Sequence, residues 1–285
     1  MGQTHGVESG GEGFGDKVSD PSPLNSLPVD CISNIISFTS PQDACVLALV
    51  SKTFESAVKS DNLWEKFLPA DYEYLVPRSR DFKSKKELYF ALCDNHVLID
   101  NGKSRLWLEK ASGKRCIMLP AMDLIIAWVD NLHYWHWILI PEARFGRVAV
   151  LLSVCWFDIC GKTNTRFLSP GTRYTAYIVF KKLDNCKGFE DKAVEAVIEI
   201  VGEEPYERII YLDEAIERNI VKPEKRQDGW MEVELGEFFN EGLHSDEINI
   251  RVLASDKLKW KRGLIILGIE IRPAKIHLYN AKNTD

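Results

Sequence analysis

The sequence predicts an α+β protein in which an all-helical N-terminal part is followed by an all-β sandwich. Between residues 24 and 71, apolar residues recur at the i, i+3, i+4 spacing of amphipathic helices. From Arg105 to Pro273, apolar and polar residues alternate with the period of two that is typical of half-buried strands. Turn signals such as Ser169-Pro170-Gly171 separate these short strands, as expected of two packed antiparallel sheets.

The composition is that of a soluble globular chain with one or two domains. Of the 285 residues, 45% are apolar and 27% charged, and the net charge is −6, which argues against a nucleic-acid or anionic-membrane partner. Seven cysteines without a CxxC pair predict reduced thiols. No signal peptide and no apolar run long enough to span a bilayer is visible. We therefore expect a protein of the cytoplasm or nucleus.

Residues 1–23 are rich in glycine and poor in large apolar side chains. They cannot bury enough surface to offset the entropy of ordering, so we expect them to be disordered. A first helix is predicted directly after them. It follows Leu27-Pro28 and presents Ile32, Ile35 and Ile36 on one face.

Two further helices are predicted up to Asp71. The second begins at Ser40-Pro41, where serine is a favourable N-cap, and is expected to carry Leu47, Val50 and Phe54 on one side. The third begins after Ser60-Asp61 and groups Leu63, Trp64, Phe67 and Leu68. A unit of this size lies near the lower limit for an independent core. Its surplus apolar surface should be covered by the rest of the chain or by a partner, and a plain helical subdomain is the alternative.

Residues 24–71 resemble the F-box, through the Leu27-Pro28 pair, the Val50-Ser51-Lys52 triplet and Trp64 at the spacing of that motif. F-box proteins are receptor subunits of Skp–cullin–F-box ubiquitin ligases. The resemblance implies that these helices dock on a Skp-type adaptor, and through it on a cullin, while the rest of the chain holds the substrate. By the same resemblance, the residues that contact the adaptor or position the docking helices are Leu27, Pro28, Ile32, Ile36, Pro41, Leu47 and Val50.

The remainder of the chain divides into a helical linker over residues 72–103, the sandwich over 104–274 and a tail over 275–285. Alternation is cleanest over Val194–Val201, Met231–Leu235 and Glu247–Val252, with Ile248, Ile250 and Val252 among the residues expected to face inward. Residues 213–222 are predicted to be a short helix or a loop. In the tail, residues 276–279 are candidates for extending a strand.

No catalytic or metal-binding motif is apparent, and we expect a non-catalytic protein without a cofactor. His133 and His136 lie three residues apart on a predicted strand, so they point to opposite faces, and a third metal ligand is missing. Neither a GxSxG nucleophile motif nor a Walker-type loop occurs. Paired carboxylates of the glycosidase type stay open as a remote alternative, because any two of the many glutamates could converge in space.

The tryptophans are more informative, since five of the eight fall between Trp107 and Trp156. Trp230 has the same strand parity as Glu232 and Glu234, on the polar face. A tryptophan ring beside carboxylates suits saccharide binding, because the ring stacks on the apolar face of a sugar and the carboxylates accept hydrogen bonds from its hydroxyls. The alternative is that these tryptophans fill the core of the sandwich.

A second resemblance covers nearly all of Arg105–Pro273 and concerns the phloem protein two domain, also called the Nictaba-related lectin domain. It implies a jelly-roll-like sandwich that binds N-acetylglucosamine oligomers or N-glycan cores, and, with the F-box, a plant F-box protein of the phloem protein two family. Trp128 and Trp135 match the sugar-stacking tryptophans, and Glu247 keeps an acidic position that binds sugar hydroxyls. The segments that carry the resemblance are Ala121–Trp128, Tyr134–Trp137, Val154–Ile159, Tyr174–Lys181, Arg226–Phe239 and Gly263–Pro273.

Two positions depart from the lectin pattern, because Asn249 and Ala254 stand where the lectins carry glutamate. Three interpretations therefore stay open. The chain is a ligase receptor that recruits glycoproteins, a ligase receptor that recognises protein surfaces without glycans, or a free-standing lectin with a helical appendage.

Overall fold

The computed structural model describes residues 27–76, 81–190, 192–213, 221–254 and 259–275. Three predictions concern residues outside these ranges. They are the disorder of residues 1–23, the helix or loop over most of 213–222, and the strand extension at 276–279.

Six helices form the described N-terminal part, and the predicted second helix is in fact two. After α2 the chain turns at residues 48–50, and the hydroxyl group of Ser51 accepts a hydrogen bond from the backbone N–H of Phe54 at 3.3 Å. This N-cap starts a new helix, so the prediction of one helix running to Phe54 was wrong. The helices are α1 (Val29–Ile36), α2 (Pro41–Leu47), α3 (Lys52–Val58), α4 (Asp61–Phe67), α5 (Tyr72–Leu75) and α6 (Lys85–Asp94).

The core of these helices continues into the first strands of the β domain. Trp64 is fully buried, and its indole N–H donates to the carbonyl of Val58 at 2.6 Å. The same apolar cluster contains Ile32, Leu88 and, from the β domain, Leu106 and Leu108. The rest of the chain therefore covers part of the apolar surface that the helices leave over. No helix among the described residues is long and apolar enough to span a bilayer.

The larger sheet, sheet A, is antiparallel and has nine strands. Its first strand lies inside residues 72–103, so the prediction of a purely helical linker was wrong from Val97 onward, where pairing with the next strand imposes an extended backbone. In spatial order its main path is β1 (Val97–Ile99), β2 (Ser104–Leu108), β3 (Arg115–Pro120), β14 (Arg262–Pro273), β8 (Thr172–Lys187), β12 (Met231–Asn240) and β11 (Glu224–Lys225), with β6 (Val148–Leu151) paired to β14 and β5 (Trp135–Ile138) paired to β6.

The smaller sheet, sheet B, packs against sheet A across the main core of the protein. Ile248, Ile250 and Val252 of sheet B are fully buried in this core together with Ile178 and Ile269 of sheet A, which confirms the predicted inward faces. The sandwich follows from this packing of two alternating faces. In spatial order the strands of sheet B are β10 (Tyr206–Ile210), β9 (Val194–Ile200), β13 (Glu247–Ala254), β7 (Phe157–Asn164) and β4 (Ile125–Ile126).

The outer face of sheet A is covered around Trp230, which favours the alternative that this tryptophan fills a core. This residue does lie on the face opposite the main core, but it is only 1% exposed and packs in a second apolar cluster with Val148, Val179 and Leu267. Strands β5 and β6 and the segment after β5 contribute to that cluster. Trp230 therefore offers no ring face to a sugar.

Candidate functional sites

The seven residues predicted to serve adaptor binding divide into two groups. Ile32, Ile36 and Pro41 are buried, so they position the helices and cannot touch a partner directly. The others reach the surface, since Leu27, Pro28 and Val50 are exposed and Leu47 is half-buried.

A more extensive apolar surface lies on the same helices, and the sequence analysis named only Ile35 and Val50 of it. Phe38 is 89% exposed and Leu49 is 87% exposed. With Ile35, Val46 and Val50, which are also exposed, they form a set that we call the helical apolar surface. All five lie on α1, α2 or the turns that follow these helices. Large exposed apolar side chains concentrated on one small unit mark an interaction site. Phe38 and Leu49 lie just beyond a helix end, where periodicity gives no signal.

Trp128, predicted to stack on a sugar, is 60% exposed and has an unusual backbone conformation. Its φ angle is +65°, in the left-handed region that bulky side chains rarely adopt. Backbone hydrogen bonds of the turn hold it there. The Ala127 N–H donates to the backbone carbonyl of Asp158 at 2.9 Å, and the Asn131 N–H donates to the backbone carbonyl of Trp128 at 3.0 Å. Such strain costs about 1–2 kcal/mol. An exposed tryptophan held in a strained turn indicates a functional position.

Two further aromatic side chains lie in sequence beyond the ring of Trp128, each next to the one before. The ring of Tyr134 lies 6.4 Å from that of Trp128, and the ring of Trp260 lies 6.5 Å from that of Tyr134. Trp260 is 57% exposed. It is brought here by two backbone hydrogen bonds between Lys261 and Val154, at 2.7 and 2.9 Å. We call Trp128, Tyr134 and Trp260 the aromatic row. Sequence reasoning missed Trp260 because only this distant backbone pairing places it beside the others.

Trp135 was predicted to stack on a sugar, and its position does not fit that role. It is 1% exposed and lies in the main core, with its ring 6.3 Å from that of Phe157. Its indole N–H donates to the carbonyl of Ala127 at 3.0 Å. Since Ala127 directly precedes Trp128, Trp135 supports the turn that presents Trp128.

Glu247 lies at the start of β13, and its side chain is exposed. Lys162 Nζ lies 3.2 Å from its carboxylate, and Asn249 donates to the same oxygen at 3.3 Å. The hydrogen bonds from Lys162 and Asn249 lower the pKa of Glu247, so it is ionised at neutral pH. Ala254, at the far end of the strand, is buried in the main core.

A groove of about 550 Å³ runs over the outer face of sheet B. Asp158 and Arg251 form two hydrogen bonds within it, at 2.9 and 2.5 Å, and the bonds from Arg251 lower the pKa of Asp158. Lys162 and Asn249, both partners of Glu247, also line it, and it extends to Ala127, beside Trp128. We call it the sheet B groove. It combines carboxylate, guanidinium and amide groups, which are suited to hydroxyl-rich ligands.

Among the residues that the structure describes, no three His, Cys, Asp or Glu side chains are grouped as a metal site would require. His133 and His136 are both exposed.

Comparison with known proteins identifies both parts of the chain. The F-box domain model matches residues 24–66, and the phloem protein 2 model matches residues 114–273. Arabidopsis thaliana F-box protein PP2-B10 is 63% identical over 90% of this chain and 97% of its own length. F-box protein SKIP3 of the same plant is 57% identical over 90% of each chain. A Clostridium thermocellum endo-1,4-β-D-xylanase structure complexed with xylohexaose gives a TM-score of only 0.32, at 13% identity over 57% of this chain and 28% of that one.

Proposed function

The chain belongs to the plant F-box proteins that carry a phloem protein 2 domain, and we propose that it is the substrate-recognition subunit of a Skp–cullin–F-box ubiquitin ligase that binds carbohydrate on its targets. In this role the chain has no active site of its own. It binds the adaptor through its helices and the target through its sandwich, so that ubiquitin is transferred by proximity.

The helical apolar surface is the observation that supports the adaptor half of this proposal. Exposing Phe38 and Leu49 almost completely to water is unfavourable in a free protein, and burial would recover about 1.5–3 kcal/mol for each side chain. The buried residues Ile32 and Ile36 hold α1 in place beneath this surface. Because the chain belongs to the F-box proteins, the partner that we propose for this surface is a Skp-type adaptor with a complementary apolar groove.

The aromatic row and the adjoining sheet B groove support the carbohydrate half. The rings of Trp128 and Trp260 offer flat apolar faces for the C–H surface of a sugar. The groove beside Trp128 offers Asp158, Arg251 and Asn249 for the hydroxyl and acetamido groups. N-acetylglucosamine oligomers and N-glycans present both kinds of surface, so we propose them as the ligand class.

Two binding measurements on the full chain test the halves separately. Surface plasmon resonance against an immobilised Skp adaptor should show specific, saturable binding, and its absence would overturn the ligase role. A glycan array should show binding to N-acetylglucosamine oligomers or N-glycans, and a blank array from folded protein would overturn the carbohydrate role alone. Sugar binding without adaptor binding would instead identify a free-standing lectin.

A second candidate for target binding is recognition of a protein surface without glycans. Leu132 and Leu152 are exposed beside the aromatic row, with the N–H of Leu152 donating to Tyr134 at 2.9 Å. Exposed leucine side chains gain favourable burial when a protein surface covers them. Retained capture of a target after enzymatic removal of its glycans would favour this candidate.

The free thiols of all seven cysteines support a reducing compartment, so we propose the cytoplasm or nucleus as the location.

A further inference from the structure

A pocket of about 390 Å³ opens between α5, α6 and the edge strand β1. Both helices and the segment from Asn95 to Leu98 contribute to its lining, together with Val76 and Phe82. We call this space the α6 pocket. It shares no residue with the helical apolar surface, the aromatic row or the sheet B groove. Its volume lies in the range that is typical of small-molecule sites.

The base of the α6 pocket belongs to the core of the helices. Leu75, Leu88 and Leu92 line the pocket and are also members of the apolar cluster around Trp64, each at most 7% exposed. Leu88 and Leu92 lie four residues apart on α6, so they share one face of that helix. The pocket is therefore an indentation of the apolar core that is open to water. A ligand that filled it would extend the core and remove apolar surface from water, which is favourable.

Two large side chains at the pocket stay exposed in the free protein. Tyr74 is 90% exposed and Leu98 is 59% exposed, and they come from separate elements, α5 and β1. Both line the pocket. Exposed apolar side chains grouped around a concave surface mark an interaction site.

The described lining of the α6 pocket carries no charged side chain. None of its eleven residues is Asp, Glu, Lys or Arg. Burial, and to a lesser degree the charges of Arg144 and Arg105, lower the pKa of His96, so this imidazole is uncharged at neutral pH. An ionic ligand would lose its hydration on entering and would meet no opposite charge. The lining therefore favours uncharged molecules.

Hydrogen-bonding groups border the pocket on the side of β1. This strand lies at the end of sheet A, and no described residue outside β2 forms a backbone hydrogen bond with Val97, Leu98 or Ile99. The edge of such a strand presents unpaired N–H and C=O groups. The side-chain amide of Asn95 donates to the carbonyl of Ala91 at 2.8 Å, which leaves its own oxygen to accept from a ligand. One polar group of an otherwise apolar ligand can bind here.

We propose that the α6 pocket binds a small uncharged molecule, with an apolar body on Leu88 and Leu92 and one hydrogen-bonding group beside Asn95. The apolar base accounts for the body, and the described lining offers nothing to neutralise an ion. A peptide paired with β1 is a poorer fit, because a strand of three residues offers too few hydrogen bonds. The inference goes beyond the proposed function and does not depend on the ligase or carbohydrate role.

Fluorescence titration of the full chain with N-phenyl-1-naphthylamine tests this proposal. This probe is uncharged and apolar and has one N–H group, and 8-anilino-1-naphthalenesulfonate adds a negative charge to the same skeleton. We expect saturable binding of the neutral probe at one site and at least about tenfold weaker binding of the sulfonate. Ala91→Phe places a large side chain at a half-buried position of the lining and should weaken the neutral probe by a similar factor.

Leu98→Lys is a second variant, at an exposed side chain whose replacement leaves the core intact. The added cation at the pocket should strengthen sulfonate binding by about two- to fivefold and should not strengthen binding of the neutral probe. Leu139→Lys, at an exposed leucine that does not line the pocket, is the matched control and should change neither affinity.

Four outcomes would overturn the proposal. One is the absence of saturable binding of the neutral probe by folded protein, a second is equal affinity for the two probes, and a third is unchanged binding of the neutral probe by Ala91→Phe. The fourth is loss of the neutral probe in Leu49→Asp or Trp128→Ala, which would assign it to the helical apolar surface or the aromatic row. Circular dichroism shows whether each variant is folded. If Ala91→Phe is not, an unchanged sulfonate affinity in Leu98→Lys would overturn the proposal instead.

Discussion

The hydroxyl group of Tyr89, in α6, lies 3.2 Å from the carbonyl oxygen of Glu109, in the turn between β2 and β3. It also lies 3.1 Å from the carbonyl oxygen of Lys110. Burial raises the pKa of Tyr89 far above its usual value, so the hydroxyl keeps its proton throughout the physiological range. Together with the core shared by Trp64 and Leu108, this contact fastens the helices to sheet A.

Tyr89→Phe should lower the stability of the whole chain, because the Lys110 carbonyl loses the hydroxyl donor and the Glu109 carbonyl keeps only the N–H of Gly113. We expect a loss of about 0.5–1.5 kcal/mol in the free energy of unfolding, measured by urea denaturation. Tyr74→Phe, at a tyrosine that is almost fully exposed, is the matched control and should change little. An unchanged midpoint for Tyr89→Phe would show that the contact does not hold the junction.

Leu49→Asp should abolish adaptor binding without unfolding the protein. The side chain is exposed in the free protein, so a charge costs nothing there, but it would be desolvated at an apolar interface. We expect a loss of about 2 kcal/mol or more in binding free energy, by surface plasmon resonance. Leu132→Asp changes a leucine on the sandwich that is 72% exposed and should leave adaptor affinity intact. Equal affinities for all three proteins would exclude the helical apolar surface as the docking face.

Trp128→Gly should increase stability while it weakens carbohydrate binding. Glycine adopts a φ of +65° without strain, so about 1 kcal/mol of stability should be gained. Loss of the stacking ring should weaken binding by on the order of 1–3 kcal/mol, by analogy with aromatic stacking on bases. Trp128→Ala is the control, since it removes the ring but keeps the strain. Calorimetric melting and glycan titration of both variants measure the two effects, and a destabilised glycine variant would contradict the strain argument.

Trp135→Ala should destabilise the protein by about 3–5 kcal/mol, because it empties a site in the main core. Its effect on sugar binding should then follow the fraction of folded protein, as measured by denaturant titration beside glycan binding. Trp135→Phe fills most of the space and should retain the fold, and any loss of binding would then measure the support that the indole N–H gives to the turn at Ala127. A stable Trp135→Ala protein that had lost sugar binding would restore the direct contact expected from the sequence.

Asp158 should contribute a pH-dependent part of the stability. Its pKa is lowered in the folded state from 3.8 by the hydrogen bonds of Arg251. A lowered carboxyl pKa stabilises the folded state above pH 3.8, and this contribution is lost as the pH falls through the folded-state value. Stability curves of wild type and Asp158→Asn should therefore converge in acid and separate toward neutral pH. Parallel curves would show that folding does not lower the pKa of Asp158.

Local patterns predicted the elements well, because alternation and helical spacing are recorded in neighbouring residues. The inward faces of β9 and β13 match the alternation of their sequences, and α4 begins at Asp61, one residue before the predicted start. The linker prediction failed where pairing with β2 decides the conformation of Val97–Ile99. A strand of three residues is too short to show alternation, so only its pairing with Ser104–Leu106 reveals it.

The candidate sites were less predictable, because they depend on what covers each residue. Trp128 and Trp135 both match sugar-stacking tryptophans of the lectin pattern, yet Trp128 is exposed on a turn and Trp135 is buried in the core. Trp230 has the parity of a polar face, but a second layer of apolar residues covers it. Trp260 joins the aromatic row only through the pairing of Lys261 with Val154. Tertiary packing alone distinguishes these four tryptophans.

In the proposed ligase role, the core that α6 shares with β2 would set the geometry in which a target is presented. A flexible tether would let a captured target sample a wide volume, and any lysine on it could be modified. In a receptor whose two ends are joined through packed side chains, the distance between the adaptor-binding end and the target-binding end is fixed instead. Such a receptor holds the target at one distance and orientation from the ligase, so the position of a lysine on the target's surface selects the site of modification.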